Sequence, residues 1–268
     1  MNTILDYYTQ YNEENRLTKD QSHKIEFITC TNALDKIISQ KSKILELGAG
    51  SAEYSFYYAK NGHDVTATDL VQKNLDGIEN RLGLHPEIKL NCKRVDARDL
   101  SDFQNSSFDA VLNLGPLYHL IEKSDQKKCF SESLRVLKPE GILAVAYINK
   151  YFYIPYCLKN DRADILEDNF VNKVIDKGYI EAKDEFWTDV NFFSPKEIEE
   201  LLLHYGVEII DHVATDTISP MIADSINSLN EHQYSKWVNY HLKTCREPSI
   251  LGLSNHSLII CRKINKNV

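Results

Sequence analysis

The 268-residue sequence has no C-x-x-C pair; its six cysteines, Cys30, Cys92, Cys129, Cys157, Cys245 and Cys261, stand far apart. Such scatter fits reduced thiols and offers neither a disulfide framework nor a thiolate zinc site. Nine histidines are present without H-E-x-x-H or another ligand spacing, so no metal ligand is read from the chain. No apolar run approaches the roughly 18 residues that would span a bilayer. The N-terminus lacks the basic, then apolar, layout of a secretory leader. Basic charge is also short: the formal net charge of −8 argues against a broad electrostatic footprint for nucleic acid. There is no internal repeat, low-complexity tract or interdomain linker. These absences leave the expectation of a cytoplasmic globular protein, one domain over 1–268, with no membrane partner.

What is present is organised around residues 43–55, K-I-L-E-L-G-A-G-S-A-E-Y-S. Ile44, Leu45 and Leu47 suit a short strand buried on both faces. Gly48 and Gly50 break it, and a helical pattern starts at Glu53, with Phe56, Tyr57, Tyr58 and Ala59 available for packing. Strand, glycine turn and helix open a nucleotide-binding α/β unit, in which glycine lets the backbone turn sharply and a ligand come close. A dinucleotide loop spaced G-x-G-x-x-G would place its third glycine at position 53, which is Glu53 here. A carboxylate in that helical turn opposes a pyrophosphate. Glu46, two residues before Gly48, instead suits a ligand carrying an ammonium group or hydroxyls.

E-L-G-A-G-S-A resembles the first motif of class I S-adenosylmethionine-dependent methyltransferases, with Ala52 at a position often held by glycine. Later segments extend the resemblance over about 43–148. D-V-T-A-T-D-L reads as a second strand, 65–68, ending at Asp69, whose carboxylate can accept hydrogen bonds from both ribose hydroxyls of an adenosine. A helix over 71–82 and a third strand over 88–95 lead to Asp96. The resemblance sets Asp96 against an adenine amino group; a loop-capping role reads equally well, and Arg98 reads as a structural residue pairing with Asp96 or Asp99. S-F-D-A-V-L-N-L-G-P-L-Y-H-L carries a fourth strand, 108–112, and a loop, 113–116, expected to face the glycine turn across one crevice. Helix 124–137, the tight turn Lys138-Pro139-Glu140-Gly141 and strand 142–146 follow.

Outside that stretch, residues 2–17 read as a short helix and a polar loop. Tyr7, Tyr8 and Tyr11 either pack on the domain or form a lid, since aromatic faces suit a sulfonium and Arg16 suits a carboxylate. Ser22 reads as the N-cap of a helix reaching about Ser39. Residues 147–185 hold the aromatic group Tyr147, Tyr151, Phe152, Tyr153 and Tyr156, which fits either a packed helical hairpin or a substrate cap. Ser194, Pro195 and Glu197 form a helix start with a capping box. Strands over 207–213 and 257–261 flank two helical stretches, 218–229 and 233–243.

The expected fold is therefore α/β: a seven-stranded, mostly parallel, doubly wound (Rossmann-like) sheet with helices on both faces. An N-terminal helical segment (1–40), a cofactor-binding half (41–148), a cap insertion after strand five (149–190) and a C-terminal half (191–268) make it up. The resemblance implies methyl transfer from S-adenosylmethionine, leaving S-adenosylhomocysteine. It implies a cofactor site of Glu46, Gly48, Ala49, Gly50, Tyr54, Asp69, Leu70, Asp96, Ala97, Asn113 and Leu114. His119, with an ordinary pKa of about 6.5, reads either as a general base or as a structural histidine capping the next helix. Tyr118 reads as an orienting group or a pocket wall. Tyr11, Arg16, Tyr118, Tyr147, Tyr151 and Trp187 are the candidate acceptor contacts. No N-P-P-Y tetrapeptide follows strand four, which disfavours DNA and protein-glutamine acceptors. The expected partner is a small-molecule acceptor and the expected assembly a monomer or homodimer. An RNA or protein acceptor, a non-catalytic cofactor-binding module and an NAD-dependent oxidoreductase are the alternatives.

Overall fold

The computed structural model describes residues 4–11, 14, 16–160, 169–184 and 186–264. Its central strand, β1 (Lys43–Leu47), is buried at every residue from Ile44 onward, as a strand covered on both faces must be. Ile44 joins one core cluster, while Leu45 and Leu47 join the other. That alternation, with a period of two, puts Glu46 on the same face as Ile44.

β1 pairs in parallel with β2 (Asp64–Asp69) and β4 (Phe108–Asn113). β3 (Leu90–Arg94) lies beyond β2, and β5 (Leu137–Asn149) beyond β4. On the far edge of β5 runs the antiparallel β9 (His256–Lys263), which then pairs with β8 (Val207–Ala214). The long strands are thus ordered β3-β2-β1-β4-β5-β9-β8, and the seven expected strands are all present. Two short ones add to them. β6 (Tyr179–Ile180) pairs with β7 (Val190–Phe193), and β7 runs parallel to Ile148 and Asn149 of β5. β4 stops pairing at Val145, so the last residues of the thirteen-residue β5 have an open edge that β7 takes up.

One face of the sheet is covered by α2 (Gln21–Leu34) and α3 (Glu53–Lys60) through Cys30, Ala33, Leu34, Tyr54 and Tyr58. The other is covered by α5 (Lys123–Val136) and the helix Pro195–His204 through Phe130, Val136, Ile198 and Leu202. A third cluster builds the cap from Ile148, Cys157, Phe170, Val174, Ile180, Val190 and Phe192, with Tyr118, Tyr153 and Trp187 against it. α6 (Lys150–Asn160) opens that cap; residues 161–168 and 185 of it lie outside the described residues. α1 (Ile4–Gln10) has no buried residue. Lys73, on α4 (Gln72–Leu84), donates to the carbonyls of Thr9 and Tyr11 and holds its end.

Several boundaries differ from the sequence-based expectation. The N-cap of α2 is Asp20, whose Oδ1 accepts the His23 N–H at 2.9 Å; Ser22 lies inside the helix and donates its hydroxyl to the same carboxylate. A carboxylate two residues earlier simply wins the cap. α2 stops at Leu34. The Lys138–Gly141 turn is an irregularity within β5, with Glu140 at φ 62° and the register slipping opposite Phe108 and Ala110. The stretch after β8 divides into a 3₁₀ turn, Ser219–Ile222, and a short helix, Ala223–Asn227. The capping box of Ser194 and Glu197 stands as expected, with Pro195 in the first turn.

Candidate active site

The turn after β1 puts three residues in left-handed backbone: Gly48 at φ 65°, Gly50 at φ 56° and Ala52 at φ 58°. Ala52, the position often held by glycine, adopts that conformation despite its side chain, at a cost of about 1–2 kcal/mol. The turn abuts the loop after β4. A Cβ on Gly48 would lie 2.9 Å from Cδ of Pro116, and one on Gly115 would lie 3.2 Å from the Gly48 carbonyl oxygen. Both loops line one cavity of about 430 Å³ at the carboxyl ends of the parallel strands, where open α/β sheets bind ligands.

Three carboxylates reach that cavity from three strand ends. Glu46 is 2% exposed and accepts the Ser55 hydroxyl. Burial pushes its carboxyl up to about 7 against the lowering effect of Ser55. Asp69 accepts the Gly50 N–H on Oδ2 and the Val71 N–H on Oδ1, both at 2.8 Å. Its burial raises its pKa, and these backbone bonds pull it back only in part. Asp96 pairs with Arg98, Oδ2 to Nη2 at 2.7 Å, and Arg98 reaches Asp125 at 2.6 Å. Burial works to raise Asp96, but the Arg98 hydrogen bonds outweigh it and hold the carboxyl low. Glu53, in the first turn of α3, is paired with Arg81 at 2.7 Å and also lines the cavity.

His119 ends a 3₁₀ turn, Pro116–His119, that carries it from the β4 loop into the cavity wall. Its Nδ1 lies 3.0 Å from the Asp189 carbonyl oxygen and its Nε2 lies 2.8 Å from the Tyr8 hydroxyl. A carbonyl oxygen only accepts, so Nδ1 carries the proton, Nε2 presents a lone pair and Tyr8 donates to it. Burial pushes the imidazole down to about 4, so the ring is neutral at pH 7. Tyr118 packs edge-on to His119 with ring centroids 4.7 Å apart.

On the α2 side, Arg16 grips Glu26 with two bonds of 3.2 and 3.3 Å. Glu26 faces His256 at 3.6 Å, and His256 faces Asp216 at 3.0 Å. Burial raises the Glu26 carboxyl, but Arg16 and His256 outweigh it and hold it low. Glu26, Asp216 and His256 are close enough together to surround a metal ion. Their charges are already matched by Arg16 and by one another, which reads as an ion-pair network.

Of the residues expected at a cofactor site, Glu46, Gly48, Ala49, Gly50, Tyr54, Asp69, Leu70, Asp96, Ala97 and Leu114 all line the cavity. Asn113 does not. It is fully buried, and its amide donates to Cys129 Sγ on α5 at 3.1 Å. Arg16, Tyr118 and His119 line the cavity as well. Four expected acceptor contacts stand elsewhere. Tyr147 is wholly buried in the sheet core, its hydroxyl 2.9 Å from Nε2 of His212, because β5 alternation points it away from the crevice. Tyr151 is 54% exposed on α6. Tyr11 stacks on Tyr7 at 5.2 Å. Trp187 sits one layer back, its ring 5.0 Å from Tyr7 and 5.6 Å from His119. Sequence reading had Tyr8 only as one of three tyrosines in the alternative lid, and it missed Glu26, Asn74 and Asp189 among the lining residues. Glu26 had a legible signal, a charge set between Ile25 and Phe27 on an apolar helix; nothing in the sequence separates Tyr8 from Tyr7.

A family model described as "Methyltransferase domain" matches residues 45–145. The Bacillus subtilis (strain 168) protein named "Putative methyltransferase YqeM" is 32% identical over 114 residues, 42% of this chain and 45% of that protein. A Bartonella bacilliformis protein named "Ubiquinone biosynthesis O-methyltransferase" is 23% identical over 179 residues, 67% of this chain and 64% of that one. The chain therefore spans about half to just under two thirds of the length of these curated relatives. Among solved structures, the PH0226 protein of Pyrococcus horikoshii OT3 superposes with a TM-score of 0.64 at 17% identity, covering 97% of this chain and 99% of that one. The Burkholderia thailandensis 1,6-didemethyltoxoflavin-N1-methyltransferase, solved with 1,6-didemethyltoxoflavin and S-adenosylhomocysteine, gives 0.58 at 15%, covering 97% and 86%. At these identities the structural likeness is one of fold.

Proposed function

We propose that this chain, whose residues 45–145 are a methyltransferase domain within a class I Rossmann-like fold, is an enzyme that transfers a methyl group from S-adenosylmethionine to a small-molecule acceptor. The observation that carries the reading is the shared cavity. It joins the glycine turn and three carboxylates to a neutral histidine whose Nε2 accepts a hydrogen bond from the Tyr8 hydroxyl at the cavity wall.

The donor set fits the cofactor. Glu46 is placed for its ammonium group, Asp69 for its ribose hydroxyls and Asp96 for its adenine amino group; Arg16 suits its carboxylate. Glu53 lines the same space, which suits a cationic ligand and opposes a pyrophosphate. When bound, the cofactor supplies an electrophilic methyl carried on a sulfonium. The protein's own part is to hold the acceptor in line with that methyl and keep water out. His119 Nε2 accepts a hydrogen bond from the acceptor and takes its proton as the new bond forms. An imidazole near 4 does not ionise a phenol of pKa about 10 beforehand. Transfer is late, when methylation has made that proton strongly acidic. Tyr118 walls the acceptor against His119.

A small acceptor suits the partly enclosed cavity and the acidic chain. The relatives named for ubiquinone biosynthesis and the toxoflavin enzyme act on small molecules by their names. The first test is calorimetric titration of the wild type and Asp69→Ala with S-adenosylmethionine and S-adenosylhomocysteine. Binding near micromolar, about −8 kcal/mol, that is lost in the variant supports the reading. A folded wild type that binds neither compound overturns it.

A further inference from the structure

Tyr8 occupies the free acceptor position of the His119 ring. Its hydroxyl donates to His119 Nε2 at 2.8 Å, and its side chain lines the cavity that holds Glu46 and Asp69. The lone pair that makes His119 useful is therefore taken by a phenol belonging to the chain itself. The phenol lies edge-on to the imidazole, ring centroids 5.4 Å apart at 82°. Tyr118 and Trp187 also pack against that imidazole edge-on. The cavity beside Nε2, walled by Tyr118 and His119, thus already holds a ring with one O–H.

The element that brings Tyr8 there is short and lies on the surface. α1 is seven residues long and buries none of them. An isolated helix of that length does not hold itself together in water. Tyr7 lies on the Trp187 ring, Lys73 holds the Thr9 and Tyr11 carbonyls at the exposed surface, and Tyr8 reaches His119. Asp189, which fixes the histidine tautomer, belongs to the segment before β7 rather than to α1. Moving α1 away leaves the Nε2 lone pair presented and the proton on Nδ1, where the Asp189 carbonyl holds it.

We propose that Tyr8 is an internal stand-in for the acceptor: the acceptor is an aromatic compound bearing a ring hydroxyl, which displaces Tyr8 and donates the same hydrogen bond to His119 Nε2. This rests on the methyltransferase reading and names the acceptor class for it. The aryl oxygen forms the bond to the methyl carbon, the carbon–sulfur bond breaks with its electron pair going to sulfur, and the aryl O–H proton passes to Nε2. An aryl ether, a neutral thioether and an imidazolium result. A ring without a free hydroxyl has nothing to offer Nε2 and does not replace Tyr8.

The test uses the full chain with S-adenosylhomocysteine present, catechol as the probe and 1,2-dimethoxybenzene as its blocked counterpart. Amide hydrogen exchange over residues 4–10 and calorimetric affinity are read together. Catechol is expected to bind and to raise exchange across 4–10, and the blocked compound to do neither. Tyr8→Phe, which frees Nε2 while keeping the ring, should tighten catechol several-fold, because the competing bond is gone; Tyr8→Ala should tighten it further. Catechol binding with unchanged or slowed exchange over 4–10, or weakened by Tyr8→Phe, overturns the proposal. So does failure of catechol to bind wild type and Tyr8→Ala while S-adenosylhomocysteine binds normally, and that result leaves the methyltransferase reading standing. If S-adenosylhomocysteine does not bind either, both fall together.

Discussion

Oδ2 of Asp69 accepts the backbone N–H of Gly50 at 2.8 Å across nineteen positions of sequence. One side chain at the end of β2 thereby fixes the turn at the end of β1, while its other oxygen holds the Val71 N–H. The residue proposed for the ribose is also the one that shapes the glycine turn. Carboxylate and turn are preorganised before any ligand arrives.

Asp69→Asn should therefore fail in two ways at once. An amide keeps the shape but turns a donor toward one of the two N–H groups, and a buried group left unpaired costs about 1–3 kcal/mol. The expected result is a lower urea midpoint and at least a tenfold loss of cofactor affinity by calorimetry. An unchanged Kd would remove Asp69 from the cofactor site.

Two glycines should respond with opposite signs to the same change. Gly48→Ala forces a side chain into left-handed backbone, about 1–2 kcal/mol, and presses it to within 2.9 Å of Pro116. Loss of 2 kcal/mol or more is expected with the overpacking, along with loss of cofactor binding. Gly77→Ala lies within α4, with nothing inside 4 Å of the new methyl, and should gain about 0.5–1 kcal/mol. Equilibrium unfolding of both variants checks the pair.

The core of this architecture was legible because its signals are local. Buried parallel strands read as short apolar runs, and Gly48, Gly50 and Asp69 sit where chain connectivity puts them, so the sheet and the cavity wall around the glycine turn could be placed in advance. The acceptor side was not, because it is assembled by contacts distant in sequence. His119 meets Tyr8 across 111 residues and Asp189 across 70. Tyr147 misled for the same reason: an aromatic at the end of a central strand faces either the crevice or the core, and only packing decides. β6 was missed because a strand of two residues carries no periodicity of its own.

The cap is fastened by a buried cation. Lys150, 4% exposed, donates to the Ile175 carbonyl at 3.0 Å and to Glu197 Oε1 at 2.8 Å. Lys150→Met keeps the stem and removes both bonds. Glu197 is half exposed and recovers solvent, so its share is small; the stranded carbonyl sets the cost at about 1–2 kcal/mol. Thermal unfolding should show the loss, and hydrogen exchange should rise over residues 173–180 before it rises in the central sheet.

Glu46 predicts a pH dependence whose sign differs for folding and for binding. Burial raises its carboxyl from an ordinary 4.5 to about 7. Between those values the folded state holds a proton that the unfolded state has lost, so stability is greatest at the acid end of the window. It falls as pH rises through it, by about 3 kcal/mol in all. Glu46→Gln should flatten that slope. Binding of a cationic cofactor runs the other way, because it favours the ionised carboxylate and expels the proton. Affinity for S-adenosylmethionine should therefore rise by up to tenfold per pH unit up to about 7 and level off above it. Calorimetry at pH 6 in two buffers of different ionisation enthalpy should register a proton released on binding by the wild type and none by Glu46→Gln. Equal proton release by both proteins would mean that the titrating group lies elsewhere in the cavity.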